Sequence, residues 1–339
     1  MTSRPWVSCL ASVLLLCGWP SPGSAQWTDQ GPVLTIIEEN DLAVDTDRHY
    51  TQGFKISYLQ ADGDVPRWAL RLAERLPALG ASWPVTKFGY QLGQSIFTPA
   101  DLNATQPLKN DRPYAGWLYT GLILQRRGTL GERPVLESFQ LDVGIIGPDS
   151  LAEDAQKRVH EFRGFDTPKG WRNQLHDEPG LALKYQRSWL LSPTREGPRY
   201  LDLIPQAGLS LGNVETSLRG GATVRAGWNL PDDFGRSTIS SLTPTQGGRS
   251  PNHAGPRWGT YVFAGAEAWA VLYTAFLDGN LFRHSPHVER EPWVAEVKSG
   301  VVVVLNCLEV GVTYVYRTPE FRGQQKDLGY GSVPLSVKF

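Results

Sequence analysis

From Leu308 onward, apolar and polar side chains alternate with little interruption. Leu308, Val310, Val312, Tyr314 and Tyr316 share one face, and Glu309, Gly311, Thr313, Val315 and Arg317 share the other. Side chains alternate across a strand with a period of two. A run of about ten such residues is the signature of a strand crossing an outer membrane with its apolar face to lipid. Phe54, Ile56 and Tyr58 against Gly53, Lys55 and Ser57 show the same pattern, as do Leu335, Val337 and Phe339 against Ser336 and Lys338. Similar segments lie near 33–40, 50–60, 87–96, 115–126, 135–146, 180–190, 199–211, 218–228, 258–275 and 293–304. With 308–318 and 330–339 they make twelve. The predicted fold is therefore all-β, a transmembrane antiparallel β-barrel of about twelve strands with short helices in its loops. An even count returns both chain ends to the periplasmic side. Strands of a soluble β-sandwich alternate too, so no single segment separates the two architectures.

A spanning helix needs about 18 uninterrupted apolar residues. The best run, "SGVVVVLNCLEVGVTYVYR", is broken by Asn306, Glu309 and Thr313. Between 61 and 86, "VPRWALRLAERLPALG" reads as a short amphipathic helix at the periplasmic rim or as a plain packed helix. Residues 1–25 read as a secretory signal: Arg4, the apolar run "VLLLCGW", then "GSA" before Gln26. The expected organisation is a signal peptide over 1–25 and one barrel domain over 26–339. Loss of Arg4 with the leader takes the formal charge from −1 to −2, 32 basic residues against 34 acidic. That near balance offers no footprint for nucleic acid.

Parity gathers the polar connections. If the first strand runs outward, 41–49, 97–114 and 147–179 all lie on the outer rim. The first is bordered by Glu38, Glu39, Asn40 and Asp41 and contains Asp45, Asp47, Arg48 and His49. Asn40 and Asp41 offer the oxygen ligands that Ca²⁺ takes, although a solvated acidic turn has the same composition. In 147–179 a helix is predicted with Ser150 and Glu153 as a capping box, Gly164 as its left-handed stop and Pro168 beyond. His160 falls in its last turn and Asp166 six residues later. A carboxylate beside a histidine fixes its tautomer and supports general-base work. A surface histidine on a loop helix would show the same spacing. Alternation places Thr51 on the lumen face with Gly53, Lys55 and Ser57. In "NDRPYAGWLYTG", Arg112 is expected to pair inside, with Trp117 and Tyr119 in an interfacial aromatic girdle. The chain has no G-x-S-x-G elbow, no Walker or Rossmann glycine pattern and no Cys/His cluster.

Three stretches, "ENDLAVDTDRHYTQGFKISY", "FTPADLN…NDRPYAGWLYTG" and "VGIIGPDS…HEFRGFDTPKGWRNQLHDEPG", together resemble the outer-membrane lipid A 3′-O-deacylase family. The resemblance implies a twelve-stranded barrel and a Ca²⁺-dependent esterase that removes the 3′-acyloxyacyl group of lipid A at the outer rim. It places the family's Asn-Asp pair on Asn40 and Asp41, its strand threonine on Thr51 and its catalytic histidine on His160. Asp166 stands where the best-known pattern has Glu. The family's loop lysine aligns with Ala104, leaving Lys109 and Arg112 as the nearest cations to hold a lipid A phosphate. Lipopolysaccharide and outer-membrane lipids are the implied partners, with the barrel insertion machinery reading the aromatic chain end. Two other readings remain open: a phospholipase-type esterase, and a non-enzymatic pore or structural barrel.

Overall fold

The structure is a computed structural model and describes residues 31–41, 49–192, 200–236, 238–239, 258–324 and 327–338. The predicted leader, Asp45, Asp47, Arg48 and the terminal Phe339 lie outside them. Twelve strands are present: β1 Val33–Asn40, β2 His49–Leu59, β3 Ser82–Thr98, β4 Ala115–Leu130, β5 Arg133–Ile146, β6 Glu178–Trp189, β7 Leu201–Gly212, β8 Glu215–Trp228, β9 Trp258–Thr274, β10 Trp293–Leu305, β11 Leu308–Arg317 and β12 Leu328–Lys338. Each pairs antiparallel with its sequence neighbour, and β1 pairs with β12, Val33 opposite Lys338 and Asn40 opposite Gly331. The sheet is a closed barrel with no edge. No described helix is long and apolar enough to cross a membrane. Closure is what permits strands to cross instead, because every backbone group then finds its partner inside the sheet.

The outward faces carry exposed apolar side chains, among them Leu92, Leu122, Val143, Leu181, Val262 and Val312. Trp228 and Trp258 stand exposed at one rim and Trp293 at the other. Trp117 and Tyr119 do not join that girdle. Both are buried in the lumen cluster with Phe97 and Phe276, their rings stacked 5.4 Å apart. The parity of β4 turns them inward, so the girdle expected of them is corrected.

Helix α1, Arg67–Arg75, lies outside the wall at the rim opposite the predicted site. Its buried Ala69 and Ala73 meet Phe88 and Leu124. Arg126 closes the helix end, donating to the carbonyls of Ala73, Leu76 and Pro77 and pairing with Glu137.

The lumen is polar and crossed by ion pairs. Lys184 pairs with Asp142 at 2.9 Å, Arg317 with Glu296 at 2.7 Å and Lys338 with Glu309 at 3.0 Å. After β8 the chain does not stay at the rim but turns into the barrel as a plug. Leu230 packs on Tyr261, Phe263 and Val302, and Phe234 on Leu136 and Ile204. Asp233 is gripped by Arg225 and Arg236, and Arg236 also meets Glu309. Further along, Lys55 Nζ donates to the Thr238 carbonyl at 3.4 Å, and the Ile239 amide donates to Glu39 at 2.7 Å. Buried charges this densely paired lose far more when one partner is removed than the pair itself contributes.

Asp233→Ala should therefore destabilise the folded barrel by about 3–5 kcal/mol, read by denaturant unfolding. The wild type should pass no steady current in a planar bilayer and the variant should. Steady conductance of the wild type would mean that the plug does not fill the lumen in a membrane.

Candidate active site

The second helix, α2 (Ala152–Arg163), lies on the outside of the wall at the other rim and packs on β3 and β4. Ala152 sits among Ile96, Tyr114 and Trp171. Gly116 makes this approach possible: a Cβ there would fall 2.0 Å from Ser150 Oγ and 2.3 Å from the Ala152 Cβ. The predicted capping box does not form. Ser150 belongs to a 3₁₀ turn, Pro148–Ser150, and its hydroxyl donates back to the Gly147 carbonyl at 2.5 Å. Leu151 holds the N-cap position with φ 58°, and Glu153 pairs instead with Lys157. The predicted stop is present. Gly164, at φ 75°, lets its own N–H reach the Glu161 carbonyl and the Phe165 N–H reach the His160 carbonyl, a Schellman ending.

That ending fixes His160. Its side chain is buried in the last turn, and Nδ1 lies 2.7 Å from the main-chain carbonyl of Asp166. The Asp166 side chain is exposed, so the orienting oxygen is the backbone carbonyl rather than the carboxylate the spacing suggested. A carbonyl only accepts, which puts the imidazole proton on Nδ1 and leaves Nε2 as the basic nitrogen. One turn on, Arg163 lies 3.8 Å from Glu38 of β1. The helix thus starts over β3–β4, and its last turn reaches the end of β1. There Asn40 is half-buried opposite Gln52, and Asp41 is completely buried just past the strand.

Thr51 completes the neighbourhood through an irregularity. The β2–β3 register slips between Tyr50 and Gln52, and both Tyr50 and Thr51 are buried there. The Thr51 hydroxyl bonds that of Thr98 at 2.6 Å. Thr98 shares its β3 face with Ile96, which packs under α2 outside the wall, so Thr51 turns outward with it. Simple alternation with Gly53, Lys55 and Ser57 does not carry across a bulge, and the lumen-face placement of Thr51 is corrected.

The three rim loops are laced together. Arg172 and Asn173 donate to the Thr105 carbonyl, and the Lys169 N–H to Leu102. Trp171 is buried on Tyr114 with its indole N–H on Gln156 Oε1 at 2.8 Å. Arg112 is buried, over the Phe97 ring, with Nη1 2.9 Å from Glu320. It ties the rim together as the expectation of an internal pair requires. Lys109 is exposed. Between these loops opens a cleft of about 470 Å³, lined by Ala104, Leu108, Arg112, His176, His284 and His287 among others. The sequence reading missed these histidines. Only the spacing "RHSPH" marked two of them, and it has no chemistry of its own. Among the described residues, no three His, Cys, Asp or Glu side chains converge as a metal group.

A closed twelve-strand antiparallel barrel with a polar lumen and an apolar outer face defines an outer-membrane protein. A model of the family described as outer membrane protein LpxR matches residues 9–339, and this chain belongs to that family. It is the family whose motifs the sequence resembles. LpxR from Salmonella typhimurium superposes with a TM-score of 0.72 at 22% identity, over 91% of this chain and 100% of that one. The β domain of the Bordetella autotransporter BrkA reaches a TM-score of 0.43 at 12% identity, over 91% of this chain and 99% of that one. No curated protein matches the sequence.

Glu320 supplies a test of the rim. Burial alone would raise its carboxyl, but the Arg112 and Arg317 guanidiniums outweigh that and hold it below its ordinary value of 4.5. A depressed folded value means that its stabilisation is present above 4.5 and is lost as the pH falls through the folded value. Glu320→Gln should be less stable at pH 7 by about 3 kcal/mol. The gap from wild type should narrow on acidification below about pH 4.5. A pH-independent gap would show that the carboxylate charge is not what holds the two arginines.

Proposed function

We propose that this chain is a lipid A 3′-O-deacylase, a Ca²⁺-dependent ester hydrolase that removes the 3′-linked acyloxyacyl group of lipid A. The observation that carries the reading is His160, a buried imidazole fixed at Nδ1 on the outside of the wall at the rim where Asn40, Asp41 and Thr51 end up. A lipid in the outer leaflet meets that side of the barrel directly. The ion-paired plug inside the barrel argues against the pore alternative.

In this reading His160 Nε2 takes a proton from a water as it attacks the ester carbonyl, and returns it to the 3′-oxygen of the sugar as the acyl C–O bond breaks, releasing the free fatty acid with no acyl-enzyme. The absence of a serine elbow agrees with that route. Asp41 and Asn40 supply hard oxygen donors of the type Ca²⁺ prefers, and amide, main-chain and water oxygens commonly complete such a shell. When bound, the ion stabilises the negative charge developing on the carbonyl oxygen. Thr51, steadied by Thr98, orients the water. Lys109, next to the cleft-lining Leu108, is an exposed cation available to a glucosamine phosphate, the role of the lysine that Ala104 replaces. The buried Arg112 serves indirectly by holding the same loop.

His160→Ala should lower kcat on lipid A by roughly 10²–10⁴-fold while the protein keeps its heat-modifiable gel migration. Undiminished turnover would remove His160 from the chemistry. Asp41→Ala should abolish Ca²⁺ stimulation, and stimulation that persists would place the ion elsewhere.

A further inference from the structure

Glu39 takes no part in the chemistry proposed above, yet it lies directly behind it. Its side chain is 0% exposed and faces the lumen one residue before Asn40. Each carboxylate oxygen has its own donor. Tyr50 Oη donates to Oε2 at 2.7 Å, and the Ile239 main-chain N–H donates to Oε1 at 2.7 Å. Tyr50 immediately precedes Thr51 at the bulge, and its ring is braced edge-on against Tyr330, with centroids 5.0 Å apart. Glu39 pairs across the strands with Gly53, where a Cβ would fall 2.0 Å from Tyr50 Oη and 2.8 Å from Ile239 Cδ1. The glycine of "YTQG" is thus the space in which this cluster is built.

One carboxylate therefore joins three segments: the end of β1 that leads into Asn40 and Asp41, the start of β2 that carries Thr51, and the lumen plug at Ile239. We propose that Glu39 and Tyr50 are positioning residues of the rim site, which they hold from the lumen side with the plug's Ile239 amide as third anchor. They touch no substrate. Their role is to keep the two strand ends at the spacing that Asn40, Asp41 and Thr51 require. A Glu carboxyl group is a side chain that can engage two neighbours on opposite sides at once, one through each oxygen. The arrangement also gives the plug a purpose beyond occupying the lumen, because its Ile239 amide becomes part of the support of the site. This inference rests on the deacylase reading for its kinetic consequences, but not for its geometry.

The test uses full-length protein refolded in detergent. Tyr50→Phe removes one donor and keeps the ring, Glu39→Leu removes both acceptors, and Glu39→Gln keeps a side chain able to bond both neighbours. Hydrogen–deuterium exchange of peptides covering residues 38–52 should rise in Tyr50→Phe and Glu39→Leu and stay near wild type in Glu39→Gln. With lipid A as substrate, the first two should lose about 10- to 100-fold in kcat, the usual effect of removing a supporting partner, with KM unchanged. Glu39→Gln should recover most of it. Thermal melting with added Ca²⁺ should show a smaller Ca²⁺-induced shift in the two disruptive variants. If exchange over 38–52 is unchanged in folded Tyr50→Phe, the proposal is wrong whatever the activity. It is also wrong if kcat and KM stay at wild-type values in both disruptive variants. If the wild type itself leaves lipid A intact but exchange rises as stated, the deacylase reading fails and the positioning role stands.

Discussion

An unpaired peptide group in hydrocarbon costs several kcal/mol, and this chain meets that constraint by closing its sheet on itself. Every strand has two neighbours, including the first and last, which pair from Val33 opposite Lys338 to Asn40 opposite Gly331. Closure consumes the backbone's hydrogen bonds and leaves two side-chain faces to manage. The outer one is apolar, and the inner one carries charges that must find partners in a confined space. Glu296, Glu309, Arg225, Arg317 and Lys338 do so within the wall or with the plug. The wall is consequently rigid, and a side chain anchored to its outer surface inherits that rigidity.

The site depends on such anchoring twice. From outside, α2 is seated on Ile96 and Tyr114 across the gap that Gly116 leaves open, and its Schellman ending delivers His160 to the Asp166 carbonyl. From inside, Glu39 holds the strand ends that carry Asn40, Asp41 and Thr51. Loops alone would not hold these groups together. The helix is exposed where it leaves the wall, and Phe162, two residues after His160, is 83% exposed. A large apolar side chain this open suits a surface that meets lipid rather than water.

Period-two patterning made the strands legible, because a lipid-facing side chain and a lumen-facing one differ so sharply in polarity. All twelve appear close to their expected bounds, and the connection at 61–86 contains its helix outside the wall. Legibility failed where the backbone departs from simple alternation or where partners are distant in sequence. Thr51 was misplaced because a bulge interrupts β2. Ser150 has the right spacing for a cap, but its hydroxyl is committed to Gly147. The spacing of His160 and Asp166 was informative, but nothing in it distinguished a carboxylate from a main-chain carbonyl as the partner. The plug was invisible, since "NLPDDFGRSTI" reads as an ordinary polar loop until Arg225, Glu309 and Glu39 are seen around it.

Whether this barrel cleaves lipid A can be read by mass spectrometry of the lipid. Lipid A would be incubated with detergent-refolded protein in Ca²⁺ or in chelator. The 3′-linked acyloxyacyl mass should be lost with Ca²⁺ and retained with chelator. Lipid A left intact in Ca²⁺ by a folded, heat-modifiable barrel would contradict the deacylase reading.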